Sequence, residues 1–205
     1  MEQISESKCH GGRHLRFRHL SRALSSDTVF SVYLPPLALK KPVPALYWLS
    51  GLTCTDENFS QKSGAQRYAA EHGIALVIPD TSPRGKDVPD VPERVDLGQG
   101  AGFYVNATQP PWSTHYRMYE FISDELPALI ESELPLVAGL KSKPGSRDSV
   151  RDPTGCPSRM YLSTRMRSAG VCTRVLAERV RLLARDLICL RSRPNQARLR
   201  PSRST

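Results

Sequence analysis

The sequence predicts an α/β fold in which a parallel strand pair is covered by helices on both faces, and three observations predict it. Two short runs, Ala45–Leu49 (ALYWL) and Ile74–Pro79 (IALVIP), are apolar at every position, the pattern of strands buried on both sides. The stretch between them, Ser63–His72 (SGAQRYAAEH), has helical character, with Ser63 as its N-cap and Gly73 as its stop. Strand, helix and strand joined by short loops make a βαβ unit, whose two strands run parallel.

The segments upstream read as two strands, antiparallel neighbours of each other. Residues 13–20 (RHLRFRHL) alternate Leu15 and Phe17 with basic side chains, as a strand with one wet face does. Residues 28–34 (TVFSVYL) also read as a strand, and Pro35-Pro36 end it. Downstream, residues 81–115 form a long Gly- and Pro-rich segment, and a loop of that length in a compact domain is usually functional. Gly98, Gly100 and Gly102 within it serve either close backbone approach or plain turn formation. Residues 116–134 place Met118, Phe121, Ile122, Leu126, Leu129 and Ile130 at helical spacing, with Pro127 expected to kink the helix.

Charge divides the 205-residue chain in two. Residues 142–205 hold 14 Arg and one Lys against four acids, a net +11; residues 1–141 hold 14 basic and 16 acidic residues, a net −2. The second part is an Arg-, Ser- and Pro-rich tail with no apolar run that reads as the next parallel strand, so the sheet is expected to stop with an open apolar edge. The tail is expected to lack a defined packed core. One piece of it has order: Leu176, Val180, Leu183, Leu187 and Leu190 recur at helical spacing among arginines, either a basic amphipathic helix or a chance periodicity.

Several classes are argued against. The N-terminal MEQISESKCH has no basic stretch leading into an apolar one, and no apolar run approaches the ~18 residues of a membrane span, so the chain reads as soluble and cytosolic. Five cysteines, an odd number without a CxxC pair, support neither a disulfide framework nor a zinc site. A basic tail gains affinity for nucleic acid or acidic surfaces through counterion release. This one offers only Tyr161 as a stacking group, which argues against nucleic-acid recognition.

After the first apolar run the chain breaks into Ser50-Gly51-Leu52-Thr53-Cys54. Either Cys54 is a nucleophile or the loop matters for its backbone. A cysteine nucleophile needs a depressed pKa and a nearby base. The nearest histidine downstream, His72, is expected at the far end of a helix.

The stretch LYWLSGLTCTDENF, followed by KSGAQRYAAEHGIALVIPDTSPRG, DLGQGAGFYVNAT and HYRMYEFISDELP, closely resembles S-formylglutathione hydrolase, the esterase D family of α/β-hydrolases, collinearly from about residue 3 to residue 141. The resemblance implies an α/β-hydrolase domain over 1–141, truncated, and an unrelated Arg-rich tail over 142–205. It implies a thioesterase that splits S-formylglutathione into glutathione and formate in formaldehyde detoxification, needs no metal or organic cofactor, also takes small activated esters, and is cytoplasmic and often dimeric. It gives the Leu52 backbone N–H one half of an oxyanion hole, and makes Gly51, Thr53 and Cys54 pocket-lining.

The chain departs from the family where its chemistry should begin. A serine hydrolase needs a serine on a strand-to-helix turn, a histidine to take its proton and an acid to orient the histidine. Family members carry a Gly-His-Ser-Met-Gly-Gly elbow soon after the kinked helix, whereas Lys141-Ser142 is followed here by Lys143-Pro144-Gly145, and no Gly-x-Ser-x-Gly occurs anywhere. The five histidines are His10, His14, His19, His72 and His115, none in the tail. Asp148, Asp152 and Asp186 lie in unrelated sequence. All three triad positions are therefore absent, and the expectation is a hydrolase by family whose polypeptide, continued in foreign sequence, is inert. The alternative is a non-catalytic product whose tail binds nucleic acid or acidic surfaces.

Overall fold

The computed structural model describes residues 1–137 and the backbone of residues 159–163. Six strands form one mixed sheet: β1 (Glu2–Cys9), β2 (Gly12–Ser21), β3 (Ser26–Leu34), β4 (Ala45–Leu49), β5 (Ala75–Pro79) and β6 (Arg159–Ser163), in the order β1-β2-β3-β5-β4-β6. β1, β2 and β3 pair antiparallel, β3 pairs antiparallel with β5, and β4 lies parallel to both β5 and β6. The antiparallel pair and the parallel βαβ unit expected from the pattern are both present.

Burial on both faces of the parallel pair follows from strict alternation of side chains along a strand. Ala45, Tyr47 and Leu49 of β4 and Ala75 and Val77 of β5 join one apolar cluster, which Met118, Phe121, Ile122, Leu126 and Ile130 cover. Leu46, Trp48, Leu76 and Ile78 point the other way, into a cluster with Phe59, Ala65 and Ala69 from α1 (Asp56–Lys62) and α2 (Ala65–His72). Trp48 stacks on Phe59 with ring centroids 4.2 Å apart. Helices therefore flank the sheet on both faces.

The helices differ from expectation in detail. α1 has no counterpart in the sequence reading; Thr55 caps it, its hydroxyl accepting from the Glu57 N–H at 3.3 Å while the Thr55 N–H donates to Asn58 Oδ1 at 2.7 Å. The N-cap of α2 is Gly64 and not Ser63. The chain turns back on itself through a left-handed Gly64, and the Ser63 hydroxyl accepts instead from the Ala65 N–H at 3.1 Å. Gly73 closes the helix as expected. The downstream helix begins at Met118: α3 (Met118–Glu120) leads through a π-helical turn (Phe121–Glu125) into α4 (Leu126–Glu133). The disturbance expected at Pro127 takes the form of that wider turn, which eases the clash of a proline ring with the preceding carbonyls.

Two strands escaped the sequence reading. β1 is the outermost strand, and its residues from Glu2 to Lys8 are exposed. Without a buried face it carries no apolar alternation, and an irregular register between Gln3 and Ser5 interrupts its edge. β6 corrects a second expectation, that residues beyond 141 supply no strand and leave β4 with an open edge. Arg159–Ser163 pairs with Ala45–Leu49 in register, so that Ser163 stands opposite Leu49. Five residues with a three-residue apolar centre are too few to display a period. What recruits them is the row of backbone donors and acceptors along β4. The expected lack of order in the tail and the pattern at 176–190 fall outside the described residues. Among the described residues no helix is long and apolar enough to cross a membrane.

Candidate active site: a braced backbone loop

The loop Ser50–Thr55 leaves the carboxyl end of β4 and enters α1. The carboxyl end of parallel strands is where open α/β sheets bind ligands, because loops diverge there and leave a crevice. β6 ends at the same edge, in register with Leu49.

The long segment after β5 holds this loop at Ser50, Thr53 and Cys54. The Thr53 N–H donates to Gly100 O at 2.7 Å, and the Cys54 N–H to Gly51 O at 3.2 Å. Thr53 itself adopts a left-handed φ of 63°. The Tyr104 hydroxyl donates to Ser50 O at 2.7 Å, while Thr81 Oγ1 and an Arg84 guanidinium nitrogen donate to Cys54 O at 2.5 and 3.2 Å. Arg84 is held in turn by Asp80, its Nε lying 3.1 and 3.0 Å from the two carboxylate oxygens. Burial pushes the Asp80 carboxyl up, against the lowering effect of Arg84 and of the Thr81 N–H.

Gly102 supplies the closest approach. A Cβ there would lie 3.1 Å from both the Gly51 carbonyl carbon and the Leu52 nitrogen, at a φ of 71° that L side chains rarely adopt. Gly98 is similarly constrained, since a Cβ would sit 2.3 Å from Asp90 Oδ1. Of the two roles open to these glycines, close approach holds at 98 and 102. Gly100, whose Cβ would meet nothing nearer than 3.6 Å, serves the turn.

The four residues singled out in the loop therefore stand in two settings. Gly51 and Cys54 are buried, whereas Leu52 and Thr53 are exposed. The Leu52 N–H has no acceptor among the described residues. His72 closes α2, and no histidine hydrogen-bonds the loop among the described residues. No cluster of three His, Cys, Asp or Glu side chains among the described residues could hold a metal ion. Tyr104, Thr81 and Arg84, with Asp80 acting through Arg84, were not legible as site residues, because hydrogen bonds to a loop 27 to 54 positions upstream leave no local pattern. The one signal was the length of the segment that carries them.

Beside the loop lies a cavity of about 240 Å³, lined by Leu97, Ala101, Gly102, Phe103, Val105 and Trp112 among others. None of Gly51, Leu52, Thr53 and Cys54 forms its wall, and Gly102 stands between the two.

Residues 21–140 match the Esterase family model, described as "Putative esterase". The structure is similar to that of an S-formylglutathione hydrolase from Agrobacterium tumefaciens, with 47% sequence identity and a TM-score of 0.66, covering 67% of this chain and 50% of that one. It also resembles a ferulic acid esterase with 16% identity and a TM-score of 0.50, covering 74% of this chain and 50% of that one; this likeness concerns the fold alone. The chain thus spans half the length of the Agrobacterium hydrolase it matches.

Proposed function

Because the chain belongs to the Esterase family, we propose that Ser50–Thr55 is the oxyanion-binding half of a thioesterase site of the S-formylglutathione hydrolase kind, in a polypeptide that lacks the groups to use it. The observation that carries this reading is the Leu52 N–H, which has no acceptor among the described residues although the amides of Thr53 and Cys54 after it are both bonded. A donor held rigidly by its neighbours and left without an acceptor costs no reorganisation when an anion forms beside it. Such a donor stabilises a tetrahedral intermediate by about 3 kcal/mol. That gain needs a nucleophile to create the oxyanion. The strand that ends beside the loop is β6, and after Ser163 the chain continues Thr164-Arg165-Met166 rather than into a Gly-x-Ser-x-Gly turn.

The reading assigns a thioester of glutathione as the small-molecule partner of the intact site, a homodimer as the assembly of intact members, and the cytoplasm as the compartment. Purified chain incubated with S-formylglutathione is expected to release formate no faster than a heat-killed control; release above that control would show a nucleophile this reading denies. The cradle is tested separately by amide NMR. Addition of S-formylglutathione should shift the Leu52 resonance, and an unmoved Leu52 signal at the highest soluble concentration would refute it.

A further inference from the structure

Seen from the sequence, Arg16 is one of several basic side chains on the wet face of β2, but the structure gives it a buried partner. Asp56, the first residue of α1, is fully buried, and a carboxylate in that position needs both its charge and its lone pairs met. Arg16 reaches both oxygens, Nε donating to Oδ2 at 2.8 Å and Nη2 to Oδ1 at 3.0 Å, while the Ser31 hydroxyl donates to Oδ2 at 2.6 Å. Arg16 and Ser31 stand opposite each other in β2 and β3, so Asp56 reaches past β5 to a pair of strands on the far side of it from β4. Arg16 Nη1 also lies 3.2 Å from the Glu57 carboxylate, which ties down a second residue of the same turn.

This clamp closes one end of the loop. Ser50 follows β4 directly and Asp56 follows the Thr55 cap directly, so the chain between them is strung from β4 to the β2–β3 pair. Within it Thr53 holds a φ of 63°, a left-handed value that a β-branched residue adopts only where its surroundings impose it. A slack end would let Thr53 relax to negative φ, and that rotation turns the Leu52–Thr53 peptide and moves Leu52 with it. We infer that Arg16 is a positioning residue: through its two hydrogen bonds to Asp56 it keeps Thr53 left-handed and so sets where the Leu52 N–H points. This role rests on the oxyanion reading of Leu52 and adds to it the group that aims the donor. Holding two oxygens in one plane takes the guanidinium fork, which the single ammonium of a lysine does not supply.

Arg16→Lys keeps the positive charge at a side chain 29% exposed and loses the fork, so the full 205-residue chain should still fold. Asp56→Asn, which leaves one oxygen to accept, is the second variant, and amide NMR is the readout. In both variants the Thr53 and Cys54 amides, bonded to Gly100 O and Gly51 O, should exchange with deuterium about tenfold faster or more relative to the buried Val77 amide. The strong intraresidue HN–Hα NOE that marks the positive φ of Thr53 should weaken, and the Leu52 resonance should move. Arg13→Lys is the control, because Arg13 holds the exposed Glu6 with the same fork on the same strand; it should change nothing at 52–54. Unaltered Thr53 and Cys54 exchange in either clamp variant overturns the inference, as does equal acceleration at Thr53 and Val77, which is the signature of a purely structural role. If S-formylglutathione moves Leu52 in the parent while Arg16→Lys leaves the loop as it was, the inference falls and the cradle stands. If both clamp variants free the loop but S-formylglutathione moves Leu52 in no chain, Arg16 stands as the loop's anchor and the cradle falls.

Discussion

Gly102 carries more of this site than any side chain. Its backbone lies against the Gly51–Leu52 peptide, where a methyl group would stand 3.1 Å from two backbone atoms. That approach fixes the loop from one side, while the hydroxyls of Tyr104 and Thr81 and the Arg84 guanidinium fix its carbonyls from the other. Gly102→Ala therefore meets two penalties at once, a left-handed φ and a close contact that only backbone movement can relieve. We expect it to lower unfolding stability by about 1–3 kcal/mol, read as a fall in the urea midpoint. An unchanged midpoint would mean that the two segments do not press on each other. Cys54 contrasts with this: its thiol is buried, and its carbonyl, not its sulfur, receives the loop's hydrogen bonds from Thr81 and Arg84. These hydrogen bonds to the Cys54 carbonyl support the proposed reading in which the loop serves through its backbone.

Among the elements, β6 changes the account most. It pairs with β4, which lies beside β5 on its other side, so the loop after β4 rises from a strand with neighbours on both edges. An open edge of five buried apolar residues would be a template for aggregation. Replacing both Met160 and Tyr161 with proline removes the N–H at two successive positions, so that whichever faces β4 is lost. Those amides of Ala45–Leu49 that do not pair with β5 should then exchange with deuterium about tenfold faster or more, and the protein should elute earlier or as aggregate in size exclusion. Unaltered exchange in β4 would show that Arg159–Ser163 contributes nothing to holding that edge. The π-helical turn before Pro127 has its own use, since it carries Glu125, whose carboxylate accepts from the His19 ring at 2.8 Å, the Ser21 hydroxyl at 3.0 Å and the amides of Arg22 and Ala23 at 3.0 and 2.8 Å.

On the scale of the whole molecule, that carboxylate ties the β2–β3 turn to the helix covering the larger apolar cluster, and it makes stability depend on pH. Burial pushes the Glu125 carboxyl up, but the Ala23 amide, the His19 ring, the Arg22 amide and the Ser21 hydroxyl outweigh it and hold the group below its usual range. A carboxylate with a depressed folded-state pKa contributes its full stabilisation above the unfolded value of about 4.3 and loses it as pH falls through the folded value. Urea stability should therefore decline from about pH 5 to pH 3 and decline less steeply in Glu125→Gln; parallel acid limbs would remove Glu125 from the account. The amino-acid sequence by itself determined the βαβ unit, the antiparallel pair at 13–34, the family and the loop that marks it. Strands buried on both faces must be apolar throughout, helices must repeat their apolar residues near 3.6, and the motif is written in contiguous residues. It also carries the proposal that the family's triad is missing, since no Gly-x-Ser-x-Gly occurs in it. Only the tertiary structure decided the rest. β1 has no buried face to pattern it, β6 is too short to show a period, and Gly64 caps α2 through backbone geometry that composition does not encode. The braces on the loop and the cavity behind Gly102 are contacts between residues 18 to 54 positions apart, which become neighbours only once the sheet has brought β4 and β5 side by side.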